Sequence, residues 1–157
     1  IYIVCFKDKA LAEKFKFPQP VKKTRNIRTL LEKNVSEEFS YKNSKYYTQL
    51  KTEMTNPDTI YQWRRIYVRE NKNNLCPTLT ANMGTGGHNV PLIIDEKQDI
   101  RKLTPRECAR FQGFPDNYKL PDNLPKSALY KQIGNSVSVP VVNAIAKNIM
   151  QVLEEAE

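Results

Sequence analysis

Thr104-Pro105-Arg106-Glu107-Cys108-Ala109-Arg110-Phe111-Gln112-Gly113 carries a complete helix-start signal. Thr104 can cap the first free amides, Pro105 suits the first helical position, and Glu107 closes a capping box. The spacing predicts a helix that starts after Thr104 and ends by Gly113. Cys108 falls inside it. No obvious base stands near, so a buried structural thiol is the better reading than a nucleophile. Cys76, which precedes Pro77, is read the same way.

Working outward, the last element begins near Ser138 with Pro140 in its first turn. Val142, Ile145, Ala146, Ile149, Val152 and Leu153 form one apolar stripe at helical period. That stripe must dock on something, and a sheet containing the first strand is the natural candidate. Ile1-Tyr2-Ile3-Val4-Cys5-Phe6 reads as that strand, apolar throughout and therefore buried on both faces. Asp8 to Phe15 reads as a short helix with Leu11 and Phe15 on one side, and Phe17-Pro18-Gln19-Pro20 breaks it and opens a linker. Ile27, Leu30 and Leu31 have helical spacing, with Asn26 or Thr24 as cap. Residues 34–60 read as polar loops with one helix around Tyr46 to Met54. Ile66-Tyr67-Val68 and Leu92-Ile93-Ile94 read as strands. Between them, Thr78 to Gly87 runs from a strand-like start into a glycine loop.

Composition narrows the function. The 157 residues carry 25 Lys and Arg against 17 Asp and Glu, a net charge of +8. Residues 1–75 hold 16 basic and 8 acidic side chains, whereas residues 76–157 hold 9 of each. A basic half beside a neutral half suits either a polyanion partner or a solvated Lys-rich surface. No apolar run approaches the roughly 20 residues of a membrane span. Three scattered cysteines argue against a disulfide framework and for a reducing compartment. The single His88, with no Cys-x-x-Cys pair, argues against a zinc site. The chain opens on Ile1, which leads us to expect a piece of a longer protein.

Gly84-Thr85-Gly86-Gly87 fails as a phosphate cradle, because no Lys-Ser/Thr follows and a strand rather than a helix comes next. A surface turn or a close backbone approach to a ligand remains. Gln62-Trp63-Arg64-Arg65-Ile66-Tyr67-Val68-Arg69 is more informative. It interleaves aromatic residues with three arginines at the start of a strand. Arginine pairs with guanine edges or phosphates and Gln with adenine edges. An edge strand with solvated charges is the plainer alternative.

Two segments go beyond composition. Arg101-Lys102-Leu103-Thr104-Pro105-Arg106-Glu107-Cys108-Ala109-Arg110-Phe111-Gln112-Gly113-Phe114-Pro115 resembles the penultimate signature of DNA (cytosine-5) methyltransferases. Gly134-Asn135-Ser136-Val137-Ser138-Val139-Pro140-Val141 resembles the last, and Leu129-Tyr130-Lys131-Gln132 precedes it in the same way. Ile1 to Phe6 is similar to the strand after the family's arginine-bearing motif, and Gln62 to Gly87 is similar to its target-recognition region. The resemblance implies an α/β fragment: a small irregular β-rich recognition domain flanked by a strand and a C-terminal helix of a Rossmann-like catalytic domain. The implied boundaries are 1–16 for the catalytic strand and helix, 17–124 for target recognition with its hinge helix, and 125–157 for the returning C-terminal motif.

The family flips the target cytosine out of the duplex, adds a cysteine thiolate at C6, and methylates C5 from S-adenosylmethionine. This chain lacks the Phe-x-Gly-x-Gly cofactor motif, the Pro-Cys nucleophile motif and Glu-Asn-Val. No catalytic residue is therefore carried over, and the chain by itself is expected to be inactive. Asn135 and Ser136 are the residues the resemblance places at the methionine end of the cofactor. Gln62, Arg64, Arg65, Thr78, Thr80, Asn82, Gly84, Thr85, Gly86 and Gly87 are those it places against DNA. The expected partners are double-stranded DNA and the missing N-terminal catalytic part, with no membrane and no metal. The expected location is the bacterial cytoplasm, within a restriction-modification system. A separate subunit of a split methyltransferase and a non-enzymatic DNA-binding regulator are the alternatives.

Overall fold

The computed structural model describes residues 1–21, 26–64, 66–73, 75–84 and 90–156. It divides the chain into two compact units, residues 24–137 and residues 1–23 with 138–157.

The first unit is built on a four-stranded antiparallel sheet of β1 (Ile60–Arg64), β2 (Tyr67–Asn71), β3 (Leu92–Ile94) and β4 (Ile100–Lys102). Its order is β2-β1-β3-β4. The β3–β4 turn is closed by Asp95, whose side chain accepts from the amides of Lys97 at 2.9 Å and Asp99 at 2.8 Å. Alternation along the strands sorts the core to two faces. Tyr61, Trp63, Leu92, Ile94 and Ile100 pack with Leu50 and Met54, and Leu50 lies on α2 (Tyr47–Glu53). Ile60 and Ile93 instead join Phe39, Leu79, Met83, Leu103, Cys108, Tyr130 and Ile133. That second cluster draws on α3 (Pro105–Phe111) and α4 (Lys126–Gly134).

The predicted capping box at α3 is present. The Thr104 hydroxyl accepts from the Glu107 amide at 3.1 Å, and the Glu107 carboxylate accepts from the Thr104 amide at 2.8 Å. Gly113 ends the helix at φ 86°, a left-handed conformation that glycine adopts without Cβ strain. The Glu107 side chain is fully buried and meets the buried guanidinium of Arg101 at 2.7 and 2.8 Å. Asn26 caps a short 3-10 turn over Ile27–Leu30 by accepting from the Arg28 amide at 3.0 Å. Thr24, its rival as cap, lies outside the described residues. The stretch 75–80 is not a strand. Pro77 has no amide to give a ladder, and Leu79 turns into the core.

In the second unit, Asp8 caps α1 (Lys9–Lys14) by accepting from the Ala10 amide at 2.7 Å. Phe15 sits between Phe6, tilted against it at a centroid distance of 5.6 Å, and Phe17, edge-on at 5.1 Å. α5 (Val139–Glu154) packs against α1, and Asn148 donates to the Lys16 carbonyl at 2.9 Å. Two expectations are corrected here. Ile1 to Phe6 is not a buried strand: among the described residues it has no ladder partner, and Ile1, Tyr2 and Ile3 are exposed. A strand needs a neighbouring edge for its backbone groups, and among the described residues this unit contains none. Among the described residues of this unit the α5 stripe therefore meets no sheet; Ile145 and Val152 are buried, while Val142 and Leu153 stay exposed. A window of 18 residues within 126–154 has the hydropathy of a membrane span. Residues 126–154 form two helices of 9 and 16 residues, each shorter than the roughly 20 that a span needs.

Candidate nucleic-acid interface

The β1–β2 hairpin places its polar face by strand register. Gln62 stands opposite Arg69 and Arg64 opposite Tyr67. Residues 62 and 64 share a face because side chains alternate, and Arg69 and Asn71 join them across the ladder. Tyr61 and Trp63 take the opposite face into the core. Arg64 and Arg69 are exposed on the face opposite these apolar anchors, while Gln62 is buried on that face at 7% exposure.

Facing this hairpin is the extended stretch 75–80. Together they line a cleft of about 300 Å³ formed by Gln62, Arg64, Arg69, Asn71, Leu75, Cys76, Pro77, Thr78 and Thr80. Among the described residues neither Arg64 nor Arg69 forms an ion pair. Two guanidinium groups without carboxylate partners, beside an amide and two hydroxyls, suit phosphate oxygens and base edges. Asn71 braces the far wall by donating to the Leu75 carbonyl at 2.5 Å, while Thr59 donates to the Asn71 carbonyl at 2.7 Å. Cys76 supplies wall, not chemistry: burial pushes its thiol up to about 12. Burial likewise raises the Cys108 thiol, well above the ordinary range. Neither forms a thiolate near neutral pH.

The cleft gathers four of the sequence-derived candidates: Gln62, Arg64, Thr78 and Thr80. Asn82 and Gly84 lie beyond it, both exposed, in the turn that follows. The Thr80 hydroxyl donates to the Asn82 side chain at 2.5 Å. Gly84 has φ 78°. Arg65, Thr85, Gly86, Gly87 and His88 lie outside the described residues. Arg69 and Asn71 are added by the structure. Arg69 was visible as one of three arginines, but its place opposite Gln62 depends on hairpin register.

Asn135 and Ser136 follow α4 directly. Asn135 is exposed at the helix C-cap, and the Ser136 hydroxyl donates to the Ile133 carbonyl at 2.6 Å. This amide and hydroxyl suit the carboxylate or ammonium of an amino-acid end, which is a small share of what a nucleoside-sized cofactor needs.

The family model for C-5 cytosine-specific DNA methylase matches residues 1–151. The chain belongs to this family. The type II methyltransferase M.Bsp6I of Bacillus sp. (strain RFL6) is 54% identical over 153 residues, covering 95% of this chain and 48% of that protein. The type II methyltransferase M.HhaI of Haemophilus parahaemolyticus is 34% identical over 164 residues, covering 95% and 47%. The chain thus spans about half the length of these relatives. Among solved structures, the Entamoeba histolytica methyltransferase EhMeth matches with a TM-score of 0.63 at 18% identity, covering 89% of this chain and 45% of that one. The S. pombe Dnmt2 methyltransferase matches at 0.61 and 17%, covering 85% and 44%. This C-5 cytosine methylase chain therefore has the mixed α/β fold of such methyltransferases, with a small antiparallel sheet.

Proposed function

We propose that this chain is the DNA-recognition and C-terminal portion of a DNA (cytosine-5) methyltransferase from a bacterial type II restriction-modification system, working in the cytoplasm on duplex DNA. The observation that carries the reading is the cleft in which Gln62, Arg64 and Arg69 face Thr78 and Thr80. Arg64 and Arg69 pair with phosphates or guanine edges, Gln62 with a base edge, and the two threonines with backbone oxygens. The proposal also assigns DNA contacts to Arg65, Asn82, Gly84, Thr85, Gly86 and Gly87. The unit of residues 24–137 recognises the target, and residues 1–23 with 138–157 belong to the catalytic layer.

Asn135 and Ser136 hold the methionine end of S-adenosylmethionine, which supplies the methyl group when bound. The other contacts to it, and the nucleophile, come from a portion carrying Phe-x-Gly-x-Gly, Pro-Cys and Glu-Asn-Val. The chain alone transfers no methyl group. The exposed Ile1, Ile3, Val141, Val142 and Met150 suit a partner surface supplied by that portion.

The test combines this chain with such a portion, fused or mixed, and follows labelled methyl incorporation at cytosine C5. The reading predicts no incorporation by either part alone and incorporation by the pair. Activity on mixing of separate polypeptides favours a two-subunit enzyme; activity only after fusion favours one chain. A folded pair that binds S-adenosylmethionine but no duplex would contradict the recognition role.

A further inference from the structure

Helix α4 meets the DNA-facing segment main chain to main chain. A Cβ on Gly134 would stand 2.1 Å from the Thr80 carbonyl oxygen, 2.2 Å from its carbon and 2.6 Å from the Ala81 nitrogen. All three atoms are backbone, so no rotamer change relieves the clash. Restoring ordinary contact, from about 3.4 Å, would push the segment back by about 1 Å. At the other end of the segment, a Cβ on Gly84 would stand 2.7 Å from Tyr130 Cδ2 and 3.4 Å from Ser127 Cα. Residues 127, 130 and 134 are three and four apart, so they form one face of the helix.

The stretch between these contacts is closed on itself and anchored. The Met83 amide donates to the Thr80 carbonyl at 3.0 Å, and the Met83 side chain is fully buried. Tyr130 cannot swing aside: it is buried and its hydroxyl donates to the Leu103 carbonyl at 2.5 Å. α4 is held to α3 in turn, where Gln112 donates to the Ile133 carbonyl at 3.5 Å. Gly134 also opens the Gly134-Asn135-Ser136 turn.

We propose that Gly134 is a positioning residue for DNA recognition. Through the Thr80 backbone it sets where Thr78 and Thr80 stand opposite Gln62, Arg64 and Arg69. This role rests on the DNA-reading assignment made above. It also ties that cleft to the Asn135–Ser136 turn, because a shift of the turn at Gly134 moves Thr80 directly.

The experiment compares Gly134→Ala, Gly84→Ala and the exposed control Gln132→Ala in the full 157-residue chain. Amide shifts of the 15N-labelled chain report the segment. Fluorescence anisotropy with a duplex at low salt reports affinity. The proposal predicts that Gly134→Ala still unfolds cooperatively, shifts the amides of Thr80, Ala81 and Met83, and weakens binding about tenfold. Gln132→Ala should do neither. Should Gly134→Ala fail to fold, Gly84→Ala strains the same segment from the loop side; because Gly84 is itself a proposed DNA contact, this variant is read by amide shifts alone, with shifted Thr80 and Gly134 amides supporting the coupling and unshifted ones overturning it. Amide shifts confined to residues 131–137, with affinity within about twofold of wild type, overturn the role. A wild-type chain with no duplex affinity overturns the DNA-reading assignment itself, and the role with it.

Discussion

Removing one member of the Arg101–Glu107 pair should cost a large share of the stability of the unit of residues 24–137. Glu107 accepts from Arg101 at 2.7 and 2.8 Å, from the Thr104 amide at 2.8 Å and from the Glu32 amide at 2.8 Å. The side chains of Arg101 and Glu107 are 6% and 0% exposed. Glu107→Gln keeps the shape but turns one acceptor into a donor, which then faces donors, and leaves Arg101 without a counter-charge. Breaking a buried pair in this way costs about 3–5 kcal/mol, against a typical domain stability of about 5–15 kcal/mol. Arg101→Met should cost a comparable amount, because the buried carboxylate then keeps only its two backbone donors. The double variant should lose less than the sum, by about 1–3 kcal/mol, since neither charge is then stranded. Urea unfolding followed by Trp63 fluorescence measures this, as Trp63 is the only tryptophan and lies buried in this unit. Losses below about 1 kcal/mol for both single variants, or strict additivity in the double, would refute the reasoning.

Other outcomes follow from the same structure. Arg64→Ala and Arg69→Ala should each weaken duplex binding, by about 1–3 kcal/mol with relaxed specificity if the arginine reads a base, or with a salt slope lower by about 1 if it meets a phosphate; competition with altered duplexes and a salt series separate the two. Thiol labelling at mildly alkaline pH should modify the exposed Cys5 first, Cys76 slowly, and Cys108 only after unfolding. Burial alone would raise the Asp99 carboxyl, but hydrogen bonds from Lys42 and Tyr47 outweigh it and hold it below its usual range. Its contribution is therefore complete above about pH 4 and lost as pH falls through the lowered value. Asp99→Asn should reduce stability near neutral pH and make the acid limb shallower in pH-dependent unfolding. The remaining slope includes Asp116, lowered by its hydrogen bond from Arg110.

What the sequence conveys well is local. Asp8, Asn26 and Thr104 announce helix starts because a cap and its target amide lie within three residues. The strand at Leu92–Ile94 is legible from its apolar run. The strand at Ile100–Lys102 is not, because three residues carry no period and its pairing with β3 is a tertiary fact. Ile1 to Phe6 has strand composition, yet composition cannot supply the neighbouring edge. The site divides in the same way. Gln62 and Arg64 stand out by residue type, whereas Arg69 belongs with them only through the register of the hairpin. The fit of Gly134 against Thr80 joins residues 54 positions apart in the chain, so no local signal announces it. The charge division at residue 75 was legible, but it does not follow the structural units, since the basic half contributes to both.

The central claim is that the cleft between the β1–β2 hairpin and residues 75–80 meets duplex DNA. The most direct measurement is the affinity of the 157-residue chain for a short duplex across a salt series, repeated with Arg64 and Arg69 both replaced by Ala. The account predicts wild-type affinity that falls steeply and linearly on a log–log plot as counterions are released, with a shallower slope and weaker binding in the double variant. Salt-independent binding, or a double variant that matches wild type at every salt concentration, would contradict it.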